Sequence, residues 1–241
     1  MTSWRLAWLA RVAALRASLL PFALMLVLDA AKDAIPGPVL LDGLYFMLDG
    51  LFLGLLLEAM LSRRPLSESL PPPWPPRRVL LFAAAMLPLG LMGGVLSWAA
   101  RLGFSTALMD LIDDPEALGP FSEVMIRTID LVISSSTFPL IAIGLAVAPV
   151  AVHLLELPRI RDTAGRPPSS APTWGLFGAL VLAVLVGLFL DGALGGALSR
   201  LPVVGGTVLP GLITWYVADF VSLTLAGSAI ASLLIRRAST A

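Results

Sequence analysis

Residues 39–61 read VLLDGLYFMLDGLFLGLLLEAML, and this stretch decides the class of the fold. Its only charged residues are Asp42, Asp49 and Glu58. A helix needs about 20 predominantly apolar residues to cross the hydrocarbon core of a bilayer, which is about 30 Å thick. The stretch therefore predicts a membrane-spanning helix.

The rest of the chain has the same character. Hydrophobic residues make up 58% of the 241 residues and charged residues 13%, whereas soluble domains carry about 25% charged residues. We therefore expect an all-α fold, a polytopic integral membrane bundle whose six helices form three hairpins in a single domain, residues 18–241. The six predicted spans are residues 18–31, 39–61, 79–100, 129–152, 173–190 and 212–235. The first is short, and it crosses only if the preceding turns join it.

The connecting segments indicate an orientation for this bundle. Segments 62–78 and 158–172 are rich in proline and arginine, and segment 103–123 is acidic. With both termini cytoplasmic, twelve of the sixteen basic residues lie inside, and those outside are Lys32, Arg101, Arg127 and Arg200. This asymmetry predicts cytoplasmic loops at 62–78 and 158–172, and an external loop at 103–123. The preference for arginine over lysine favours a GC-rich bacterial genome, and hence the inner (plasma) membrane of a bacterium.

The amino-terminal residues 1–17 form an amphipathic pattern. At 100° per residue Trp4 and Trp8 fall on one apolar stripe, and arginines border the stripe on both sides. This arrangement is typical of an interfacial helix that lies on the inner leaflet and leads into the first span. The alternatives are a cleaved segment or a fully inserted one. The residues expected to anchor the helix are Trp4, Trp8, Arg5, Arg11 and Arg16.

Glycines recur at helical spacing in the second and third predicted spans. Such small residues let two helix backbones approach closely in a membrane. We expect helix packing at Gly43, Gly50, Gly54, Gly90 and Gly94.

Polar residues also lie inside the predicted spans. Asp49 stands near the middle of its span, and Asp219 lies about 10 Å inside the last one at the helical rise. Carboxylates at such depth normally face a bundle interior or a water-filled cavity. They predict either a hydrogen-bonded network that holds the helices together or an ion or proton pathway. The candidate residues of that pathway are Asp42, Asp49, Asp219, Ser135 and Thr137.

The composition excludes several function classes. There is no cysteine and a single histidine, His153, so we expect no metal site and no cofactor. The net charge of zero gives no basis for nucleic-acid binding. Catalytic residues are not apparent either, because Ser97 and His153 lie at opposite ends of their predicted spans. We therefore expect a non-enzymatic subunit or scaffold that contacts the lipid bilayer and packs against other membrane proteins or further copies of itself. The alternative is a small transporter or a proton or cation pathway.

Overall fold

The computed structural model describes residues 3–62, 75–112, 150–151, 173–198, 200 and 209–239. Within these ranges all regular secondary structure is helical, and no β-strand occurs. The elements are α1 (Ser3–Leu9), α2 (Arg11–Ala30), a 3-10 turn (Lys32–Ala34), α3 (Pro38–Leu61), α4 (Arg77–Ile112), α5 (Trp174–Leu198) and α6 (Leu209–Ser239).

Five of these helices are long and apolar enough to cross a membrane. The candidate spans are Arg11–Ala30, Val39–Leu61, Arg77–Val95, Trp174–Leu198 and Leu212–Arg237. They confirm an all-helical fold compatible with a multi-pass membrane protein. The predicted span 129–152 lies outside the described residues except for 150–151. The count of six spans and their pairing into three hairpins therefore stay predictions.

Two helices are longer than the sequence analysis expected. Helix α4 continues to Ile112, so the first ten residues of the predicted external loop 103–123 are helical. Segment 104–112 contains neither glycine nor proline, and its Ala, Leu and Met favour continuation of the helix. Helix α5 likewise continues past residue 190 to Leu198. The predicted span ended at residue 190 because Asp191 is charged, but a single aspartate does not end a helix.

A tight turn sets the start of α3. Gly37 has φ 85°, a left-handed conformation that glycine adopts without the penalty of a Cβ atom. Pro38 follows at the first helical position, where its missing N–H costs nothing and its fixed φ suits the helix. The sequence Gly37-Pro38 therefore reverses the chain between α2 and α3.

Helices α3 and α4 pack as an antiparallel pair, as do α5 and α6, and α3 also contacts α6. In the most apolar stretch of α6, 67% of the residues are buried, whereas the corresponding share in α5 is only 28%. Helix α6 is thus the central element among the described helices, and α5 presents most of its surface outward. The core formed by α3, α4 and α6 includes the fully buried side chains of Leu53, Leu56, Leu57, Phe82, Met86, Ile230 and Leu234.

The amino-terminal segment is packed along the bundle. Backbone hydrogen bonds from Ala10 N to Leu6 O (2.9 Å) and from Ala14 N to Ala10 O (2.8 Å) carry the helical pattern from α1 into α2. These turns join the short apolar run 18–31, which makes α2 long enough to cross. The Ser3 hydroxyl lies 3.0 Å from that of Ser232 near the end of α6. Helix α1 therefore packs against α6, and the interfacial placement of residues 1–17 in a membrane stays a prediction.

Candidate functional site

Asp49 lies on the side of α3 that faces α6. It shares one helical stripe with Leu53 and Leu56, four and seven residues further on. A Cβ atom added to Gly227 of α6 would lie 3.1 Å from both leucine side chains, which fixes the direction of the stripe. The Oδ1 atom of Asp49 is buried and forms no hydrogen bond with any described residue. Such a buried polar atom is costly unless another group satisfies it.

Asp219 of α6 is the acidic residue that interacts electrostatically with Asp49. Gly227 is level with the turn between Leu53 and Leu56, so the helical rise separates the depths of the two aspartates by only about 4 Å. Two negative charges in a medium of low dielectric repel each other. The interaction therefore disfavours the state in which both carboxylates are charged.

Asp191 of α5 extends this pair toward the surface. It interacts electrostatically with Asp219, and its side chain is exposed. Three helices thus contribute one aspartate each. The sequence analysis missed Asp191 because it lies outside the predicted span 173–190, and only the packing of α5 on α6 brings it toward Asp219.

Thr224 of α6, like Asp49, has a buried side-chain oxygen with no hydrogen-bond partner among the described residues, whereas other polar residues of the spans join neighbouring helices. Ser222 of α6 is buried and donates a hydrogen bond to the carbonyl oxygen of Ala183 in α5 at 3.1 Å. Ser18 of α2 and Tyr216 of α6 are joined through their hydroxyls at 2.8 Å. These groups connect helices in the way expected of structural pins. Asp49 differs from them because its buried oxygen has no such connection within the described residues.

Asp42 stands apart from the buried pair. Its side chain is exposed, one turn from the start of α3. Nearby, the Tyr45 hydroxyl donates a hydrogen bond to Asp29 Oδ1 at 3.4 Å, and Lys32 Nζ forms an ion pair with the same oxygen at 3.2 Å. These two contacts of Asp29 join the end of α2 to the first turns of α3 and to the following turn. Ser135 and Thr137 of the predicted pathway lie outside the described residues.

All five glycines expected at helix contacts lie between α3 and α4. A Cβ atom on Gly90 would approach Phe46 Cβ to 2.5 Å and Gly43 Cα to 3.0 Å. One on Gly50 would collide with Met86, and one on Gly54 would lie 2.9 Å from Phe82. At Gly43 and Gly94 the nearest atoms belong to Leu91 and Val39, at 2.7 and 3.4 Å. Two further close approaches, at Gly187 and Gly227, were not expected because the sequence analysis considered only pairs of glycines, and these two have alanine at that spacing, Ala183 and Ala231.

The first two helices present a small-residue face to the bundle and a large-residue face outward. Leu6, Ala10, Ala13, Ala14 and Ala17 are buried. The large side chains on the opposite side are exposed, with Trp4 at 58%, Trp8 at 68%, Leu15 at 59% and Leu19 at 64%. The guanidinium of Arg11 lies over the Trp8 ring at 4.6 Å and donates a hydrogen bond to the Trp8 carbonyl at 2.8 Å. We call this outward face, Trp4, Trp8, Arg11, Leu15 and Leu19, the tryptophan–arginine stripe.

Two hydrogen bonds fix the depth of this stripe. Ser3 is bonded to Ser232, and Ser18 to Tyr216. The two bonds are 15 residues apart along α1 and α2 and 16 residues apart along α6, so the helices run side by side in opposite directions. Arg11, eight residues from Ser3, is therefore level with about residue 224 of α6. That level is close to the middle of the candidate span Leu212–Arg237, whereas Arg11 is the first residue of the candidate span of its own helix, Arg11–Ala30.

The orientation argument, which counts Arg5, Arg11 and Arg16 among the inner-side residues, stays a prediction. The anchoring role of these arginines and of Trp4 and Trp8 stays a prediction.

No group of three His, Cys, Asp or Glu side chains in the described ranges is arranged to hold a metal ion. Comparison with known proteins gives no further guide to the site. No family model, no curated protein and no solved structure shows a significant match to the chain.

Proposed function

We propose that the protein is a non-enzymatic membrane subunit or scaffold that packs against other membrane proteins. The observation that carries this proposal is the outward face of α1 and α2, on which Trp8, Leu15 and Leu19 are more than half exposed. Trp8 and Arg11 lie together on this face, and tryptophan and arginine are the residues that contribute most to protein interfaces.

The rigidity of the described core supports the same function. The glycine contacts hold α3 against α4, and Gly227 lets α3 approach α6. A scaffold needs a fixed surface, since ordering a mobile one on binding would cost affinity. The strongly outward-facing helices α2 and α5 are then available for partners or lipid.

The finer topology belongs to the same proposal. We place six spans in a bacterial inner membrane, with both termini and the loops 62–78 and 158–172 in the cytoplasm. The arginine content of these loops supports this orientation. The external segment then begins within α4, because the candidate span in this 36-residue helix ends at Val95.

Purification from native membranes in a mild detergent tests the proposed function. The expected result is co-elution with at least one other membrane protein, or with further copies, at a fixed stoichiometry measured by native mass spectrometry. Particles that contain a single chain of 25.4 kDa, under conditions that keep known membrane complexes intact, would contradict the proposal. A detergent-free extraction in polymer discs provides the control for dissociation by detergent.

A small proton or cation pathway is the second candidate, and the Asp49–Asp219 pair is the specific observation that favours it. The buried Oδ1 atom of Asp49 lacks a hydrogen-bond partner among the described residues, unlike a structural pin. Two neighbouring carboxylates can share a proton or be neutralised by a cation. Asp191 would then connect the pair with the surface.

Asp49→Asn separates this candidate from the scaffold. The amide keeps the size of the side chain but does not titrate, so a pathway variant should fold normally and lose at least about tenfold in flux. The measurement pairs unfolding in detergent with proton- or cation-driven flux in liposomes, for wild type and variant. Ser222→Ala is the control, because it removes a buried polar group from the contact of α6 with α5 and leaves the carboxylates unchanged. No flux in the wild type at any tested gradient would leave only the scaffold.

A further inference from the structure

We infer that Asp49 and Asp219 share a single proton, so that this pair of carboxyl groups binds a proton in preference to a metal cation. The inference rests on the second candidate function, the proton or cation pathway, and it names the species that such a pathway would carry. It starts from the buried polar groups at the contact between α3 and α6.

Helices α3 and α6 run in the same direction. Phe52 of α3 stacks on Phe220 of α6, with ring centroids 5.9 Å apart. Further along both helices, a Cβ atom on Gly227 of α6 would lie 3.1 Å from the side chain of Leu56 in α3. Residue numbers therefore rise together along the two helices, and the depths of their polar groups can be compared.

Three polar groups follow one another along this contact. Measured back from the level of Gly227, the helical rise places Thr224 at about 4.5 Å, Asp49 at about 8 Å and Asp219 at about 12 Å. Asp49 therefore lies between Thr224 and Asp219 in depth, about 4 Å from each.

Two oxygens at this contact have no hydrogen-bond partner among the described residues. They are Asp49 Oδ1 and Thr224 Oγ1, and both are buried. A neutral carboxyl group at Asp49 would change this, because its O–H can donate to the carboxylate of Asp219. Its carbonyl oxygen can then accept from the Thr224 hydroxyl, directly or through a water molecule.

The acidic groups around the pair favour one bound proton. Asp49 interacts electrostatically with Asp219, and Asp219 with Asp191. Asp42 and Glu58, the other charged groups of α3, are about 10 Å or more from Asp49 along the helix. Burial of an ionised carboxylate is costly, so such a group takes up a proton instead. Two adjacent carboxyl groups that cannot both ionise hold one proton between them.

The basic groups of the neighbouring described helices are directed elsewhere. Arg5 and Arg11 are exposed, and the Arg11 guanidinium lies over Trp8. Arg16 is 200° around α2 from Ser18, the residue that bonds to α6. Charged residues are absent from the following segments of the helices around the pair: 17–28 of α2, 79–100 of α4 and 174–190 of α5.

The continuity of both helices favours a proton over a metal cation. Cation sites in transporters typically use broken helices, whose unwound carbonyls coordinate the ion. Helix α3 is continuous over Pro38–Leu61 and α6 over Leu209–Ser239, so the carbonyls beside the pair are used in helical hydrogen bonds. The described side chains then offer two carboxyl groups and one hydroxyl, whereas a divalent cation takes about six or more oxygen ligands.

The shared proton can move without a change in the net charge of the pair. When Asp49 passes its proton to Asp219, one O–H bond breaks and another forms, and a single negative charge remains on the pair. Asp219 interacts with Asp191, whose exposed side chain connects the pair with the surface.

Infrared spectroscopy of the wild-type protein in lipid bilayers tests the inference. A neutral carboxylic acid has a carbonyl-stretch band distinct from those of carboxylates, and ¹³C-labelled aspartate identifies the residue type. At neutral pH we expect one neutral aspartic acid per chain. Sodium or potassium ions should leave the band unchanged, because they do not displace the proton.

Three variants locate the proton. Asp49→Asn should remove the band. Asp219→Asn should keep one neutral acid, because Asp49 stays buried, but should shift its frequency through loss of the hydrogen bond between the two carboxyl groups. Asp42→Asn is the control on α3, and it should leave the number and frequency of the bands unchanged. Unfolding in detergent establishes that each variant is folded, and the wild-type measurements need no variant.

The other outcomes separate this inference from the proposed pathway. Zero or two neutral aspartic acids in the wild type, loss of the band on addition of sodium or potassium, or an unshifted band in Asp219→Asn would overturn the inference. Flux in liposomes without a neutral aspartic acid would keep the pathway and reject the shared proton. One neutral acid that is lost in Asp49→Asn and shifted in Asp219→Asn, without any flux, would keep the shared proton and reject the pathway.

Discussion

Gly90→Ala is the substitution that most sharply tests how α3 and α4 are held together. The new Cβ would lie 2.5 Å from Phe46 Cβ and 3.0 Å from Gly43 Cα. Ordinary carbon contacts are about 3.5–4.0 Å, so the overlap exceeds about 1 Å. Neither neighbour can rotate away, because one atom is backbone and the other is fixed to it. The helices themselves must move apart.

The size of the effect follows from two opposing terms. Overpacking of a fitted contact costs about 1–3 kcal/mol, and the overlap at Gly90 places it near the upper end. Alanine gains about 1 kcal/mol over glycine in a helix. We therefore expect a net loss of about 2 kcal/mol in the free energy of unfolding. Gly178→Ala is the matched control, because a Cβ there meets no atom within 4 Å, and it should be neutral or stabilising by up to about 1 kcal/mol.

Reversible unfolding in mixed detergent–SDS micelles measures both variants against wild type. The expected order of stability is Gly178→Ala, then wild type, then Gly90→Ala. Equal stability of Gly90→Ala and wild type would refute the close approach of α3 and α4. Equal losses in both alanine variants would show that the loss does not depend on the neighbours of Gly90.

Three other predictions concern the polar pins, the first helix and the orientation. Ser222→Ala should lower the free energy of unfolding by about 1 kcal/mol through loss of the bond to Ala183. Ser228→Ala should cost less, because its bond stays within α6, and the opposite order in SDS titrations would contradict the assignment. A variant that keeps Trp8 as its one tryptophan should be quenched most by lipids brominated in the middle of their chains, and stronger quenching by headgroup-level quenchers would refute the upright placement of α1. Because the chain has no cysteine, single cysteines at Pro72 and Glu116 can be labelled on intact cells with an impermeant thiol reagent. Labelling should occur at 116 but not at 72, and the reverse pattern would overturn the orientation.

Much of the fold could be predicted from sequence because membrane spans depend on length and hydropathy. Residues 39–61 meet both conditions, and α3 covers this whole stretch. The end of α4 could not be predicted in the same way. Its residues 104–112 contain no helix-breaking residue, and a helix can continue beyond the length that crosses a membrane.

The placement of the first helices was harder to predict from sequence. The outward stripe is conspicuous because it contains Trp4 and Trp8, and it suggested an interfacial helix. The face that packs consists of alanines, which give little hydropathy contrast but allow a close approach to other helices. The alanines therefore determine how the first helices pack, whereas the prediction was based on the tryptophans.

The polar site could likewise be predicted only in part. The depth of Asp49 could be predicted from its position in an apolar stretch. Its neighbours Asp219 and Asp191 depend on the rotation of three helices about their axes, which a single sequence does not specify. The glycine spacing predicted close helix contacts, but the pairing of Gly90 with Phe46 also depends on the offset between α3 and α4.

The most direct test of the proposed scaffold function is to remove the protein from its native cell and compare the sizes of all other membrane complexes. Native gel separation followed by quantitative mass spectrometry gives the size distribution of each membrane protein with and without this chain. The account predicts that at least one other membrane protein moves from a larger complex to a smaller one, and that re-expression of the wild-type chain restores it. Unchanged complexes throughout the membrane, with this chain migrating alone in the wild-type cell, would contradict the account.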